Sequence, residues 1–190
     1  MKSLLRDIRA CRHCEAHLPS GPRPIVQAGR SCKILIVGQA PGRKVHESGI
    51  PWDDASGDRL RLWMGIEKEI FYDDSVIALV PMGFCFPGKG SSGDLPPRPE
   101  CAPLWHARLL KAMPTIQLTL LIGTYAQNYY LGDRAAGVTT TVKNYKKYLP
   151  EYWPLVHPSP RNKIWAKKNP WFERDVVPHL QKIVRRILKN

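Results

Sequence analysis

Three short runs of consecutive apolar residues constrain this chain more than anything else in it: "KILIVG" at 33–38, "VIALVP" at 76–81 and "LTLLIG" at 118–123. None alternates polar with apolar, so each predicts a strand covered on both faces, as in a parallel sheet. A shorter candidate, "PLV" at 154–156, stands directly before His157. Helical spacing fills the gaps. Residues 57–66 place Leu60, Trp63 and Met64 on one face, and 2–10 carry Leu4, Leu5 and Ile8. Residues 99–113 and 124–132 are further helices, the second ended by Gly132. From Phe172 onward Val176, Leu180, Ile183, Val184 and Ile187 share a side, with Lys182, Arg185, Arg186 and Lys189 mostly elsewhere. Strands alternating with helices predict an α/β fold on a mainly parallel sheet, in one domain over 1–190. Ligands of such folds bind beyond the carboxyl ends of the strands. Gly38 onward and His157 onward both sit at such ends, which places them in one site.

The first of those ends reads "GQAPGRKVHESGIPW". Gly38, Pro41 and Gly42 allow the backbone to approach a ligand closely. The stretch lacks the Lys-Ser/Thr of a P-loop and the spacing of GxGxxG, so a nucleotide hydrolase is a weak reading. Residues 18–31 read as an irregular connection, and the Pro/Gly-rich segment 85–103 reads as a loop.

Charge narrows the partners. The chain carries 29 Lys+Arg against 16 Asp+Glu, a formal net charge of +13. An excess of that size attracts polyanions, nucleic acid foremost. No apolar run approaches the roughly 18 residues of a membrane span. The start, "MKSLLRDIRACRHC", breaks its short apolar stretch with Arg6, Asp7 and Arg9. It therefore does not have the form of a signal peptide, and the expectation is a cytoplasmic protein with no membrane partner and no obligate protein partner.

The cysteines are the second constellation. Cys11 and Cys14 form a CxxC, and Cys85 and Cys101 bracket the Pro/Gly-rich segment. In such a chain they are not read as disulfides. Four thiolates can hold a tetrahedral zinc or a [4Fe–4S] cluster. Zinc sites more often use two tight CxxC pairs, so the wide second pair leans towards the cluster. Buried free thiols are the ordinary alternative, and Cys32, beside the first strand, fits it best.

Taken in order, "CRHC", "ILIVGQAPG", "SGIPW", Cys85 with Cys101, and "VHPSPRN" resemble the uracil-DNA glycosylase superfamily, nearest to its iron–sulfur branch, family 4. The resemblance implies a three-layer α/β/α sandwich around a four-stranded parallel sheet, and excision of uracil or another deaminated base from damaged DNA. It implies a [4Fe–4S] cluster on Cys11, Cys14, Cys85 and Cys101. The residue chemistry is compatible. A glycosylase flips its base into a pocket, then stabilises a sugar cation and a departing base anion. Trp52 suits stacking on that base, where the family usually has Phe. His157 suits a hydrogen bond to the carbonyl oxygen on which negative charge develops. Gly38, Ala40, Pro41 and Gly42 form the pocket floor. Ser159, Arg161 and Asn162 are candidates for DNA contact. "RNKIWAKK" adds Lys163, Lys167 and Lys168 around Trp165, which reads equally well as a solvated basic face.

Two positions depart from the resemblance. Gln39 stands where relatives commonly carry an acid, and an amide cannot take a proton. Asp54 is the favoured replacement, ahead of Asp53 and Glu47. Pro81 falls near the place of an Asn that reads the base's amide edge, so backbone groups of Met82 or Gly83 are expected to substitute. These departures also allow a second reading, a DNA-binding or damage-sensing relative that excises nothing.

Overall fold

A computed structural model of the chain describes residues 1–91 and 93–189, without the Arg134 side chain. In chain order the elements are α1 (Lys2–Arg9), β1 (Ile34–Val37), α2 (Arg43–Ser48), α3 (Ala55–Met64), α4 (Lys68–Phe71), β2 (Ile77–Leu79), β3 (Lys89–Gly90), β4 (Gly93–Asp94), α5 (Cys101–Ala112), β5 (Leu118–Ile122), α6 (Gly123–Leu131), α7 (Val138–Lys143), β6 (Tyr152–Leu155), α8 (Lys163–Lys168) and α9 (Val177–Lys189). A turn of π-helix, Phe172–Val176, leads into α9.

The main sheet is four-stranded, in the order β2-β1-β5-β6, and every neighbouring pair is parallel. Its strands are buried along their length, Tyr152 at the start of β6 excepted, because both faces are covered. Ile34, Ile36, Ile77, Leu79, Leu118 and Leu120 point into a core built with Leu60, Trp63 and Met64 of α3 and Leu180, Val184 and Ile187 of α9. Leu35, Val37, Ala78 and Leu121 point the other way, into a core with Leu5 and Ile8 of α1, Trp105 and Leu109 of α5, and Ala126 and Leu131 of α6. Two apolar faces per strand remove the polar alternation of a half-exposed sheet, which explains the uninterrupted runs.

The sheet edges are managed differently. Along β2, Gln27 exchanges both backbone hydrogen bonds with Leu79 (3.1 and 2.8 Å), so the 18–31 connection covers that edge. On the other side β6 pairs only with β5, which makes Pro154 tolerable in its interior. This strand starts at Tyr152, two residues before the expected "PLV", because Tyr152 and Trp153 pair with Thr119 and Leu120.

The expected 85–103 loop also needs correction. Its middle folds into the antiparallel β3–β4 ribbon, and Cys101 opens helix α5. Ser92 lies outside the described residues. No helix among those described is long and apolar enough to cross a membrane.

Candidate active site

Beyond the carboxyl ends of β1 and β6 lies a cavity with about 440 Å³ of empty space, part of it open to solvent. Gly38, Gln39, Ala40, Pro41 and Gly42 form its floor. Trp52, Asp54 and His157 form its polar and aromatic wall, and Ile25, Val45, Pro51 and Pro81 complete it. The two strand ends flagged by the sequence thus meet around one space.

Trp52 is the residue under most constraint. It adopts φ 59°, the left-handed region, and is the non-glycine residue there among those described. Such a conformation in a bulky residue is maintained only by its surroundings. Asp54 supplies part of the restraint: it caps α3, its Oδ1 accepting the backbone N–H groups of Ser56 and Gly57, both at 2.9 Å. Gly38 supplies the rest. A Cβ on Gly38 would stand 2.7 Å from Cζ2 of the Trp52 ring, so the indole lies directly against the backbone of the floor. The ring also stacks on His157, with centroids 5.8 Å apart and planes inclined by 27°.

His157 is fixed from behind. Nδ2 of Asn162 donates to its carbonyl oxygen at 2.7 Å, and Oγ of Ser159 accepts the Arg161 N–H at 3.2 Å to shape the turn that follows. Asn162 and Ser159 therefore brace the loop in this structure. Arg161 is exposed. Neither ring nitrogen of His157 has a hydrogen-bond partner among the described residues, so both are open to a ligand. Burial lowers the His157 pKa below the usual imidazole value, against the pull of the Asp54 and Asp94 carboxylates. That shift favours the neutral imidazole.

Asp94 is a residue that sequence reasoning missed. It ends β4, far along the chain from the floor, yet its Oδ2 would stand 3.3 Å from a Cβ on Gly42. The ribbon thus carries a carboxylate to the rim of the cavity. The only clue in the sequence was an acid among the glycines of "GSSGDL", which turn chemistry explains equally well. Of the other acids, Glu47 is exposed on α2 and does not line the cavity. Asp53 also does not line it; its charge acts on Tyr72.

The backbone substitutes expected for Pro81 are already engaged. Met82 donates its N–H to the Gly38 carbonyl at 2.8 Å, and Gly83 donates to the Gln39 carbonyl at 3.0 Å. These N–H groups extend the parallel ladder past β1, so any contact from the two residues to a base falls to their carbonyl oxygens. The Pro81 carbonyl accepts from Nε2 of His106 at 3.0 Å, while Nδ1 of His106 accepts from the Tyr130 hydroxyl at 2.7 Å. By contrast, the Gln39 side chain lines the cavity and has no hydrogen-bond partner among the described residues.

A model of the Uracil DNA glycosylase superfamily matches residues 26–181. The chain belongs to that superfamily. The match spans every floor and wall residue named above except Ile25, the four sheet strands, and Cys85 and Cys101. Superfamily members act on DNA, in keeping with the chain's charge.

Cys11 and Cys14 precede the matched segment. In space all four cysteines of the expected set line a second cavity, about 370 Å³, together with Arg98 and Trp105. Burial pushes the Cys85 thiol up to about 11 and the Cys101 thiol up to about 12. Among the described residues no group of three or more His, Cys, Asp or Glu is placed to hold a metal ion. Arg98 Nε and Trp105 Nε1 are buried without a hydrogen-bond partner, so two donors of this cavity lack an acceptor.

Proposed function

We propose that the protein is a DNA glycosylase that hydrolyses the N-glycosidic bond of uracil or another deaminated base, as the first step of base-excision repair. The observation that carries this reading is the Trp52–His157 pair over the Gly38–Gly42 floor. A base flipped into the cavity can stack on the indole while a neutral imidazole donates to its carbonyl oxygen. That hydrogen bond strengthens as the base departs as an anion, so it lowers the barrier rather than merely tightening binding. Asp54 and Asp94 put negative charge on the same cavity, where it favours the sugar cation. Asp54 has one oxygen committed to the helix cap, whereas Asp94 has no such commitment.

Gln39, in this reading, takes the place of the acid common in relatives. Its amide orients water or pairs with the base's amide edge, since it carries both a donor and an acceptor. It does not remove a proton. With the Met82 and Gly83 donors engaged, no backbone N–H from that strand end selects uracil. The reading therefore includes other deaminated bases.

We further place the chain nearest to the iron–sulfur branch, with a [4Fe–4S] cluster on Cys11, Cys14, Cys85 and Cys101. A cluster takes one thiolate on each of four irons, and the four cysteines line one cavity. The unpartnered donors of Arg98 and Trp105 fit a guest rich in sulfur acceptors. When bound, the cluster would tie the segment around Cys11 and Cys14 to the start of α5, a structural role.

The test is a panel of oligonucleotides, each with one damaged base, single- and double-stranded, assayed for base release by anaerobically prepared protein. Iron and zinc are measured on the same preparation. Release from at least one substrate, leaving an abasic site, is expected. Tight, salt-sensitive binding with no release from any substrate would instead favour the damage-sensing reading, which Gln39 and the engaged Met82 and Gly83 donors motivate.

A further inference from the structure

Thr139 and Lys143 lie one turn apart on α7 and share a face of that helix. Thr139 lines a shallow depression beside the candidate active site, together with Gln39, His157, Asn162 and Trp165. Lys143 lines the next depression, an open groove of about 1070 Å³ bounded by Lys146, Lys147, Trp171 and Arg174. A common wall joins the two. Trp165 Nε1 donates to Thr139 Oγ1 at 2.8 Å, and the Trp165 and Trp171 rings meet edge to face at 5.8 Å.

The second groove is strongly positive. Lys143, Lys146 and Lys147 are exposed, and none takes part in an ion pair among the described residues. The one carboxylate in the groove, Asp175, is held by Arg174 through two hydrogen bonds of 2.9 and 2.7 Å. That leaves Lys143 and Lys147 without a compensating carboxylate in the groove, while Lys146 shares the field of Asp175. The dipole of α7 accounts for Lys143 in its last turn. It does not account for Lys146 and Lys147, which lie past the end of the helix.

We propose that this groove is a phosphate track for the DNA flanking the flipped nucleotide. It carries the backbone away from the pocket along α7 and on to Lys146 and Lys147. The partner is nucleic acid because the groove adjoins the candidate active site across the Trp165–Trp171 contact and gathers three exposed lysines beside partly exposed aromatic surface. The proposal rests on the glycosylase reading for its substrate, but its test does not require excision.

Binding of undamaged duplexes of roughly one and roughly three helical turns is measured by anisotropy across a range of salt concentration. The wild-type protein is expected to bind the longer duplex more tightly and with a steeper log–log salt slope. The Lys143→Ala/Lys146→Ala/Lys147→Ala variant is expected to lose that length advantage, and its slope to fall by about 2–3, at about 0.9 for each phosphate no longer neutralised. Lys111→Ala, an exposed lysine on α5 across the sheet, controls for bulk charge and is expected to leave the slope unchanged. An unchanged slope and length dependence in a folded triple variant overturns the proposal. So does an equal fall per charge in Lys111→Ala, or a triple variant that loses binding only to phosphatidylserine vesicles. Failure of the wild-type protein to release any base refutes the glycosylase reading and leaves these salt slopes fully interpretable.

Discussion

The Trp52 indole lies against both the Gly38 backbone and the His157 ring, and it does so in a backbone conformation that Trp rarely adopts. The contact makes Gly38 a steric determinant of the pocket. A methyl group at Gly38 has to displace the indole, because a Cβ there stands 2.7 Å from the ring. Gly38→Ala is expected to reduce base release at least about tenfold, equivalent to about 1.4 kcal/mol of transition-state stabilisation, with the far-ultraviolet circular dichroism unchanged. Trp52→Phe in the same chain supplies a smaller ring and is expected to restore part of the loss. If the double variant is no better than Gly38→Ala, the clash with Trp52 is not the cause.

The two carboxylates at the cavity separate by chemistry. Asp54→Asn keeps an oxygen that can accept from Ser56 and Gly57, whereas Asp54→Ala removes the cap, an effect of about 1 kcal/mol on stability. Both remove the charge that acts on His157. Base release is expected to fall in both variants, and the melting temperature to fall only in Asp54→Ala. Asp94→Asn is expected to lower the rate of base release without altering the melting temperature, because Asp94 is exposed and its carboxylate makes no described hydrogen bond. A substrate-concentration series checks the assignment: loss of cation stabilisation lowers kcat, whereas loss of a binding interaction alone raises KM.

The covered strands were readable because burial on both faces leaves a signature in four or five consecutive residues. Strand-end positions then followed from topology, which is why Gly38 and His157 were assigned to one site. Helices α2, α4, α7 and α8 span only four to six residues each and are too short to show a periodicity. The β3–β4 ribbon was unreadable for another reason: its two-residue strands, Lys89–Gly90 and Gly93–Asp94, carry no apolar pattern. That concealed Asp94, whose approach to Gly42 is purely tertiary. The engagement of the Met82 and Gly83 N–H groups was not legible because a ladder can run past the apolar stretch that announces it. Hydrogen bonds from both residues to Gly38 and Gln39 continue the pairing into the loop.

His106 links the pocket wall to acid stability. It is 1% exposed, and burial holds its pKa down to about 4, against the raising effect of the Pro81 carbonyl. The unfolded chain takes up this proton near pH 6.5 and the folded chain only near pH 4. As pH falls through that window the unfolded state binds more protons, so stability declines. The decline amounts to about 2 kcal/mol between pH 7.5 and pH 5. Urea unfolding is expected to show it, and His106→Gln is expected to flatten it by a similar amount while lowering stability at neutral pH. A variant that retains the full wild-type slope would show that other groups, such as His157 or His179, carry the dependence.

Trp105 tests the cysteine cavity independently of base release. Its Nε1 is buried without a partner and lines the same space as Cys11, Cys14, Cys85 and Cys101. If the cavity holds the cluster, that N–H donates to one of its sulfurs and favours the more negative, reduced form. Trp105→Phe preserves the ring packing and removes the donor. The variant is expected to retain iron and visible absorbance, while its reduction potential falls by on the order of 40 mV, the effect of one hydrogen bond of about 1 kcal/mol on a one-electron couple. Cys101→Ser, which removes a ligand, is expected to lose iron. Wild-type protein free of iron under anaerobic preparation, or a Trp105→Phe potential equal to that of wild type, leaves the unpartnered indole without a cluster to serve.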